Sequence, residues 1–184
     1  MINGYIPAAR FLPFLSWTDV AALPDKSNTV IVLPTGAIEQ HGPHLPCSVD
    51  SVISSGVAGH ALARLPATIP AYAIPPIVYG KSEEHLHFPG TLTLSGDTLL
   101  HTLLEIAESL YRAGFRKLLM TNGHGGQPQV MEMCARELRL RHGDFIVVPS
   151  FTWRVPHVAG QYLSNLEKKL AMHAGHAETA LMLA

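Results

Sequence analysis

The sequence has few cysteines, few charged residues and no long apolar run, and each shortage excludes a class of protein. Its 184 residues include 2 cysteines, Cys47 and Cys134, too few for a disulfide framework or a paired-cysteine zinc site. Charged residues make up 15% and the formal net charge is -1, with no basic stripe, which argues against nucleic-acid binding. No stretch approaches the ~20 apolar residues that span a bilayer, and the N-terminus does not resemble a signal peptide. We therefore expect a cytoplasmic protein that binds neither membrane nor nucleic acid.

Histidine is what the sequence has in excess. There are 11 histidines beside 13 lysines and arginines, while hydrophobic residues make up 47% of the chain. That length and apolar fraction suit one domain with a sizeable core. Histidine is a common metal ligand and general base, so the positions of the histidines bear directly on function.

Short β-branched runs alternate with amphipathic stretches along the chain. Strands are predicted at 29–33, where Pro34 ends the run, and at 117–121 and 144–148, with a further extended segment at 68–79. Helices are predicted at 50–65, at 95–113 with Gly114 as the C′ residue, at 128–141 and near the C-terminus. This alternation predicts an α/β fold with a mainly parallel sheet, in a single domain over 1–184. The last apolar run stops at Ala184 without a cap, so we expect a chain truncated at its C-terminus.

The loop after the first predicted strand carries a carboxylate–imidazole motif, IEQHGPHLPCSVD at 38–50. Glu39 and His41 are two apart and share one face of an extended segment, and the turn that follows returns Asp50 at the next helix. Carboxylate and imidazole suit Zn²⁺, Mn²⁺ or Fe²⁺ better than Ca²⁺, and an aspartate can bridge two metals. Taken by itself, the motif is explained equally well if Asp50 only caps the next helix. His44 is better explained as shaping the loop.

Two further segments carry histidine, and the first of them directly follows the second predicted strand. In NGHGGQ, at 122–127, glycines surround His124 and allow close backbone approach to a ligand. A simple turn or a phosphate cradle are the alternatives, and no Walker lysine accompanies the loop. In HAGHAET, at 173–179, His173 and His176 could be i, i+3 partners on a helix, with Glu178 following. Ligands bind at the carboxyl ends of parallel strands, so we expect these loops to converge.

Four blocks of the sequence resemble the creatininase (creatinine amidohydrolase) family of metal-dependent amidases. They occur in the family's order and spacing, and they are LPTGAIEQHGPHLPCSVD, HFPGT at 87–91, NGHGGQ and HAGHAETALMLA. The resemblance implies a three-layer α/β/α sandwich, a homo-oligomer that is commonly a hexamer, and two divalent ions per chain. The ions would be Zn²⁺ and/or Mn²⁺, with Fe²⁺ also suited to the donor set.

The resemblance also implies roles for single residues. Creatininase proper has an acid where this sequence has Gly126, so Glu178 is the expected replacement. The implied metal ligands are Glu39 and His124 for one ion, His41 and Glu178 for the other, and Asp50 between them. His173 matches the acid/base histidine of the family. Trp153, His87 and Gly125 are expected to contact the substrate.

The implied activity is hydrolysis of an amide C–N bond in a small molecule or short peptide, such as a linear or cyclic amide or a formamide. A metal-bridging hydroxide would attack the carbonyl, and His173 would protonate the leaving amine. Gly126 and Met172 both depart from creatininase proper, which argues against creatinine as the substrate. The alternatives are an inactive or incomplete metal-binding member of the fold, or a two-metal phosphoesterase. Lys81 and Arg154 are the cations of the candidate loops that could serve a phosphate.

Several reactive residue types are given structural roles. Cys47 and Cys134 are predicted to be buried small hydrophobes. His60 and His101 fall on predicted helices away from the loops and are interpreted as structural or solvated. The residues Glu83, Glu84 and His85 lie in a candidate active-site loop without an assigned role.

Overall fold

Four parallel strands form one sheet, and helices cover both of its faces. The computed structural model describes residues 2–184. The strands are Val30–Thr35 (β1), Ala71–Ala73 (β2), Lys117–Asn122 (β3) and Ile146–Phe151 (β4). The α-helices are Trp17–Ala22 (α1), Val49–Arg64 (α2), Gly96–Arg112 (α3), Pro128–Arg141 (α4), Asn165–Leu170 (α5) and His176–Leu183 (α6). No helix of the described chain is both long and apolar enough to cross a membrane.

The strand order is β2-β1-β3-β4, and every neighbouring pair is parallel. This confirms the predicted parallel α/β sheet. The strands β1 and β3 are paired along their whole length, so that Thr35 stands opposite Asn122 at their carboxyl ends. The loops that follow these two strands therefore start side by side at one edge of the sheet.

Alternate side chains of β1 enter two separate cores. Ile31 and Leu33 pack into a cluster with residues of α3 and α4, among them Leu99, Leu103 and Leu138. Val32 points to the other face and packs into a second cluster with Ala58 and Leu62 of α2. This alternation follows from the two-residue period of a strand. The result is the three-layer α/β/α sandwich that the resemblance implied.

The ends of the elements differ from the predictions in physically simple ways. The strand β1 continues through Pro34, whose carbonyl accepts a hydrogen bond from Ile77 N–H at 2.9 Å although its own nitrogen has no proton to donate. Within the extended segment 68–79, only Ala71–Ala73 pairs as a strand. Gly114 follows α3 with φ +99°, as predicted for a C′ residue.

The helix α1 was not predicted, although its capping signal is present. The Ser16 side chain accepts from Asp19 N–H and the Asp19 carboxylate accepts from Ser16 N–H, which is a reciprocal capping box. The segment before it packs Ile6 and Phe11 into the core cluster of α2. Six residues give too short an apolar period to stand out in the sequence.

Candidate metal centre

The structure brings the five predicted metal ligands together at the carboxyl edge of the sheet. They come from the loop after β1, the first turn of α2, the loop after β3 and the first turn of α6. All five are buried, with exposed fractions of 1% for Glu39, 0% for His41, 2% for Asp50, 3% for His124 and 9% for Glu178. Carboxylates buried this deeply need a compensating charge.

Asp50 lies between two imidazoles. Its Oδ1 is 3.3 Å from His41 Nε2, and its Oδ2 is 3.0 Å from His124 Nδ1. Glu39 stands on the His124 side, with Oε1 3.3 Å from His124 Nδ1. Glu178 stands on the His41 side, with Oε1 3.9 Å from His41 Nε2. The cluster thus has two halves that share one carboxylate.

The ring nitrogen that faces Asp50 is fixed in each histidine by a hydrogen bond on the opposite side. His41 Nδ1 donates to the Glu39 carbonyl at 3.1 Å, and His124 Nε2 donates to the Lys81 carbonyl at 2.8 Å. A carbonyl can only accept, so these nitrogens carry the protons of the neutral rings. His41 Nε2 and His124 Nδ1 are then left as the ligating atoms, both directed at Asp50.

Two buried atoms of the cluster have no hydrogen-bond partner among the described residues: His41 Nε2 and Asp50 Oδ2. The 3.0 Å contact of Oδ2 with His124 Nδ1 is close but lacks hydrogen-bond geometry. Buried polar atoms are normally satisfied, so these need an explanation. A divalent cation in each half would satisfy both, and the mixed oxygen and nitrogen donors suit Zn²⁺ or Mn²⁺. The residues present therefore fit a metal centre.

The pKa values show how strongly the cluster attracts positive charge. Burial alone would lower the pKa of His124, but the adjacent carboxylates of Asp50 and Glu39 outweigh it and raise the pKa to about 10. Burial would raise the pKa of Asp50, but His124 and His41 outweigh it and lower the pKa. Burial would also lower the pKa of His41, but the contact with Asp50 outweighs burial and raises the pKa. A proton on the imidazole and a metal ion thus compete for the same position.

A surrounding layer of polar groups orients these ligands. The Ser82 hydroxyl donates a short hydrogen bond to Glu39 Oε2. The Asn122 side chain brackets the His124 backbone: its Nδ2 donates to the His124 carbonyl at 2.7 Å and its Oδ1 accepts from His124 N–H at 3.0 Å. Gln127 Nε2 in turn donates to Asn122 Oδ1 at 2.9 Å. Such partners fix ligand geometry at metal sites.

Glycine is needed on both sides of His124 because other groups occupy the space of a side chain. A Cβ at Gly123 would lie 2.4 Å from the Asp50 carbonyl oxygen. A Cβ at Gly126 would lie 2.1 Å from Glu84 Oε1 and 2.7 Å from the Lys81 carbonyl oxygen. These glycines are predicted to admit a ligand, but Gly123 and Gly126 instead make room for other groups of this chain, and a Cβ at Gly125 would meet no described atom within 4 Å.

His173 lies at the edge of the cluster, with its side chain 25% exposed. Its Nε2 donates to the Gln40 carbonyl at 2.5 Å, and its Nδ1 is 3.5 Å from Glu39 Oε1. The predicted pairing of His173 with His176 on one helix is wrong, because α6 begins at His176. His176 points away and is 79% exposed, with Nδ1 3.8 Å from Glu167.

The three predicted substrate contacts lie in different positions. Trp153 donates from Nε1 to the Gly123 carbonyl at 3.2 Å and lines a cavity of about 390 Å³ together with His173 and Glu178. Gly125 is exposed on the loop after β3. His87 is exposed as well, and it is His85 that reaches the cluster, with Nε2 3.9 Å from Glu39 Oε1.

The residues given structural roles behave mostly as predicted. His60 and His101 are exposed on α2 and α3. Cys134 is fully buried, and burial raises the pKa of its thiol to about 12. The prediction for Cys47 is wrong in part, because this side chain is only half-buried. His44 is exposed and contacts Thr179 Oγ1 at 3.1 Å, which links the loop after β1 to α6.

The fold and the cluster define an α/β/α protein with a candidate centre for two metal ions. Residues 14–184 match the family model Creatininase, described as creatinine amidohydrolase, and the chain belongs to the creatininase family.

Its relatives include a mycofactocin precursor peptide peptidase of Mycolicibacterium smegmatis, 34% identical over 156 residues, which covers 84% of this chain and 57% of that protein. A creatinine amidohydrolase of Pseudomonas putida is 34% identical over 188 residues, covering 95% of this chain and 71% of that protein. The chain therefore spans little more than half the length of the mycofactocin relatives.

Solved structures of creatininases share the fold. One described as creatininase Mn has a TM-score of 0.79 and 34% identity, over 95% of this chain and 72% of that chain. A mutant creatininase of Zn-Zn type has a TM-score of 0.80 and 34% identity, over 95% of this chain and 71% of that chain.

Proposed function

We propose that this chain carries the catalytic centre of a metal-dependent amidohydrolase that cleaves an amide C–N bond in a small molecule or short peptide. The observation that carries the proposal is the position of Asp50 between two imidazoles whose ligating nitrogens both face it. Two relatives that differ in substrate, a creatinine amidohydrolase and a peptide peptidase, are both named for hydrolysis of amide bonds. The reaction class is thus better supported than any one substrate.

The five buried ligands divide between two ions. Glu39 and His124 would hold one ion, and His41 and Glu178 would hold the other. Asp50 would contribute to both. The related creatininase structures described as Mn and Zn-Zn types favour Zn²⁺ and/or Mn²⁺ for this chain too. When bound, two such ions polarise a carbonyl oxygen and lower the pKa of water.

We assign proton transfer at the edge of the centre to His173. Its Nε2–H is held by the Gln40 carbonyl, so Nδ1 is the atom that can take up a proton and pass it to the leaving amine. Nδ1 faces the cluster, 3.5 Å from Glu39 Oε1, and the ring also lines the 390 Å³ cavity. An amine leaves poorly unless protonated, so this transfer completes C–N cleavage.

The cavity beside His173 suits a small organic amide. Its volume of about 390 Å³ falls within the ~300–1,000 Å³ of small-molecule sites. Trp153 and Glu178 both line it. Backbone N–H groups around the exposed Gly125 could support the oxygen that becomes negative during attack.

The charges around the cluster do not favour a phosphate ester as substrate. The Lys81 ammonium pairs with Glu83 at 2.9 Å, and only its backbone carbonyl contacts the cluster. The Arg154 guanidinium lies 5.9 Å from the centre of the Phe151 ring. Neither of these cations is directed at the centre, so the phosphoesterase alternative has no supporting contact.

Metal content and hydrolysis measured on the same samples test the proposal. The full chain loaded with Zn²⁺ or Mn²⁺ is expected to bind two ions and to hydrolyse some member of a panel of cyclic amides, formamides and short peptides. Asp50→Ala should lose both properties. The matched control is Asp97→Ala, which removes an exposed acid from the first turn of α3 and should lose neither. If Asp50→Ala kept both ions and full turnover, Asp50 would be only a helix-terminal acid.

A homo-oligomer is also proposed, on the family resemblance alone. Sedimentation velocity of the full chain checks it, and a hexamer is the expected species. A monomer at all concentrations would contradict this proposal without affecting the metal centre.

A further inference from the structure

We propose that Gln40 and His85 form a clamp that positions His173 for proton transfer. This inference rests on the proposed amide hydrolysis and assigns a role to two residues outside the expected ligand set. The clamp is the pair Gln40 and His85, and neither residue needs to touch the substrate.

The orientation of the Gln40 amide is fixed by the backbone. Gly42 N–H donates to Gln40 Oε1 at 2.8 Å, so the amide nitrogen must be the atom on the other side. That nitrogen lies 3.1 Å from His85 Nδ1. An amide nitrogen can only donate, so His85 Nδ1 accepts and the proton of the neutral ring is on Nε2. His85 is thereby held in one tautomer and one orientation.

The same residue holds His173 through its main chain. The Gln40 carbonyl accepts from His173 Nε2, and Gln40 N–H donates to Thr91 Oγ1 at 3.3 Å, which anchors this backbone to the next loop. The rings of His85 and His173 are stacked, with centroids 4.5 Å apart and planes at 22°. Gln40 thus fixes both rings of the stack, one by its side chain and one by its carbonyl.

His41 also packs against His173, with the ring centroids 4.1 Å apart and the planes tilted by 43°. His41 is itself fixed by its bond to the Glu39 carbonyl. His173 therefore contacts two histidine rings, although it belongs to the irregular segment before α6, where the next residue, Ala174, has φ +52°. The clamp therefore holds the His173 ring in one orientation, which the irregular backbone around it does not do.

The clamp fixes which nitrogen of His173 faces the centre. With Nε2–H on the Gln40 carbonyl and ring rotation blocked by the stack, Nδ1 of His173 stays directed at Glu39 and the centre. A proton-transfer group must be held within hydrogen-bond reach of the reacting atom, and a displacement of about 1 Å can cost on the order of a hundredfold in rate. His85 is accordingly a positioning residue.

Three variants separate the parts of the clamp. His85→Ala removes both the stack and the acceptor, His85→Phe keeps a stacking ring without the acceptor, and Gln40→Met removes the amide but keeps the carbonyl.

For His85→Ala we expect kcat to fall about tenfold to a hundredfold with KM changed by less than about twofold. His85→Phe should recover part of the loss. The control is His101→Ala, an exposed histidine on α3, with unchanged kinetics.

A spectroscopic measurement makes the clamp testable apart from activity. The imidazole ¹⁵N spectrum of the full chain, with and without Zn²⁺, is expected to show His173 as a single Nε2–H species that becomes a mixture in His85→Ala. An unchanged His173 spectrum in His85→Ala would overturn the clamp, as would the loss of a bound ion, which would make His85 a ligand. A wild-type chain without amidase activity would refute the proposed function instead, while the spectrum would still decide whether His85 orders His173.

Discussion

Thr35 and Asn122 stand opposite each other at the carboxyl ends of β1 and β3. From this one pairing the loops that carry Glu39 and His124 leave the sheet as neighbours. The Asn122 side chain then brackets the His124 backbone from both sides. The centre is thus built outward from the sheet, and side chains such as Asn122 connect the sheet to the loops of the centre.

Asn122→Asp tests the contact nearest the sheet. The change keeps the Oδ1 acceptor of His124 N–H and Gln127 Nε2 but removes the Nδ2 donor to the His124 carbonyl and buries a further negative charge. We expect a loss of about tenfold to a hundredfold in affinity for the ion held by His124. Competition with a zinc chelator measures this affinity. Asn165→Asp, an exposed position at the start of α5, should leave it unchanged, and equal affinities in both variants would contradict the bracketing role.

Glu178→Gln tests the half of the centre formed with His41. An amide oxygen is a poorer ligand than a carboxylate, so the variant should bind one ion per chain rather than two and lose turnover. Elemental analysis of the dialysed protein gives the ion count. Glu105→Gln on the exposed face of α3 serves as the control. Retention of two ions would mean that another acid completes this half.

Gly126→Ala tests the packing of the glycine loop. The added carbon would lie 2.1 Å from Glu84 Oε1 and 2.7 Å from the Lys81 carbonyl oxygen. Glu84 can swing aside because it is exposed, but the backbone cannot, so we expect a loss of about 1–3 kcal/mol in the free energy of unfolding. Gly125→Ala meets no atom of residues 2–184 within 4 Å and should stay within about 0.5 kcal/mol of the wild type. Urea titrations of both variants provide the comparison.

Metal affinity should rise with pH because a proton on His124 must leave before a metal binds. The pKa of this imidazole is raised to about 10 in the metal-free chain. Up to that pH, each unit should increase the apparent Zn²⁺ affinity by up to about tenfold for this one proton. Calorimetry in buffers of different ionisation enthalpy measures the protons released. A pH-independent affinity with no proton release would be incompatible with a protonated His124.

The metal-free chain should show the opposite trend in stability. The folded-state pKa of His124 lies above its ordinary value of 6.5, so the stabilisation from its proton is complete below that value. It is lost as pH rises from there through about 10. Urea midpoints of chelator-treated protein should therefore fall across this range, and saturating metal should remove the fall.

The sequence predicted those parts of the centre that depend on local spacing. Glu39 and His41 share a face because they are two residues apart in an extended segment. Gly114 ends α3 for a reason visible in its residue type. In each case the determining interaction lies within a few positions of the chain.

What the sequence did not reveal depends on contacts between distant segments. His85 and Ser82 belong to a loop without a helical or strand period, and their partners Gln40 and Glu39 lie far away in sequence. The continuation of β1 through Pro34 likewise depends on Ile77, a partner from another segment. Local patterns cannot supply such contacts, whereas the family resemblance supplied Glu178 because it compares whole chains.

The proposed ligands come from the loop after β1, the start of α2, the loop after β3 and the start of α6, so no single segment would hold an ion well by itself. Bound metal would connect these four segments, and it would bind tightly only when all four are folded together. Release of zinc to a fluorescent indicator would then report unfolding. Removal of the metal by a chelator would destabilise the carboxyl edge of the sheet before the rest of the domain.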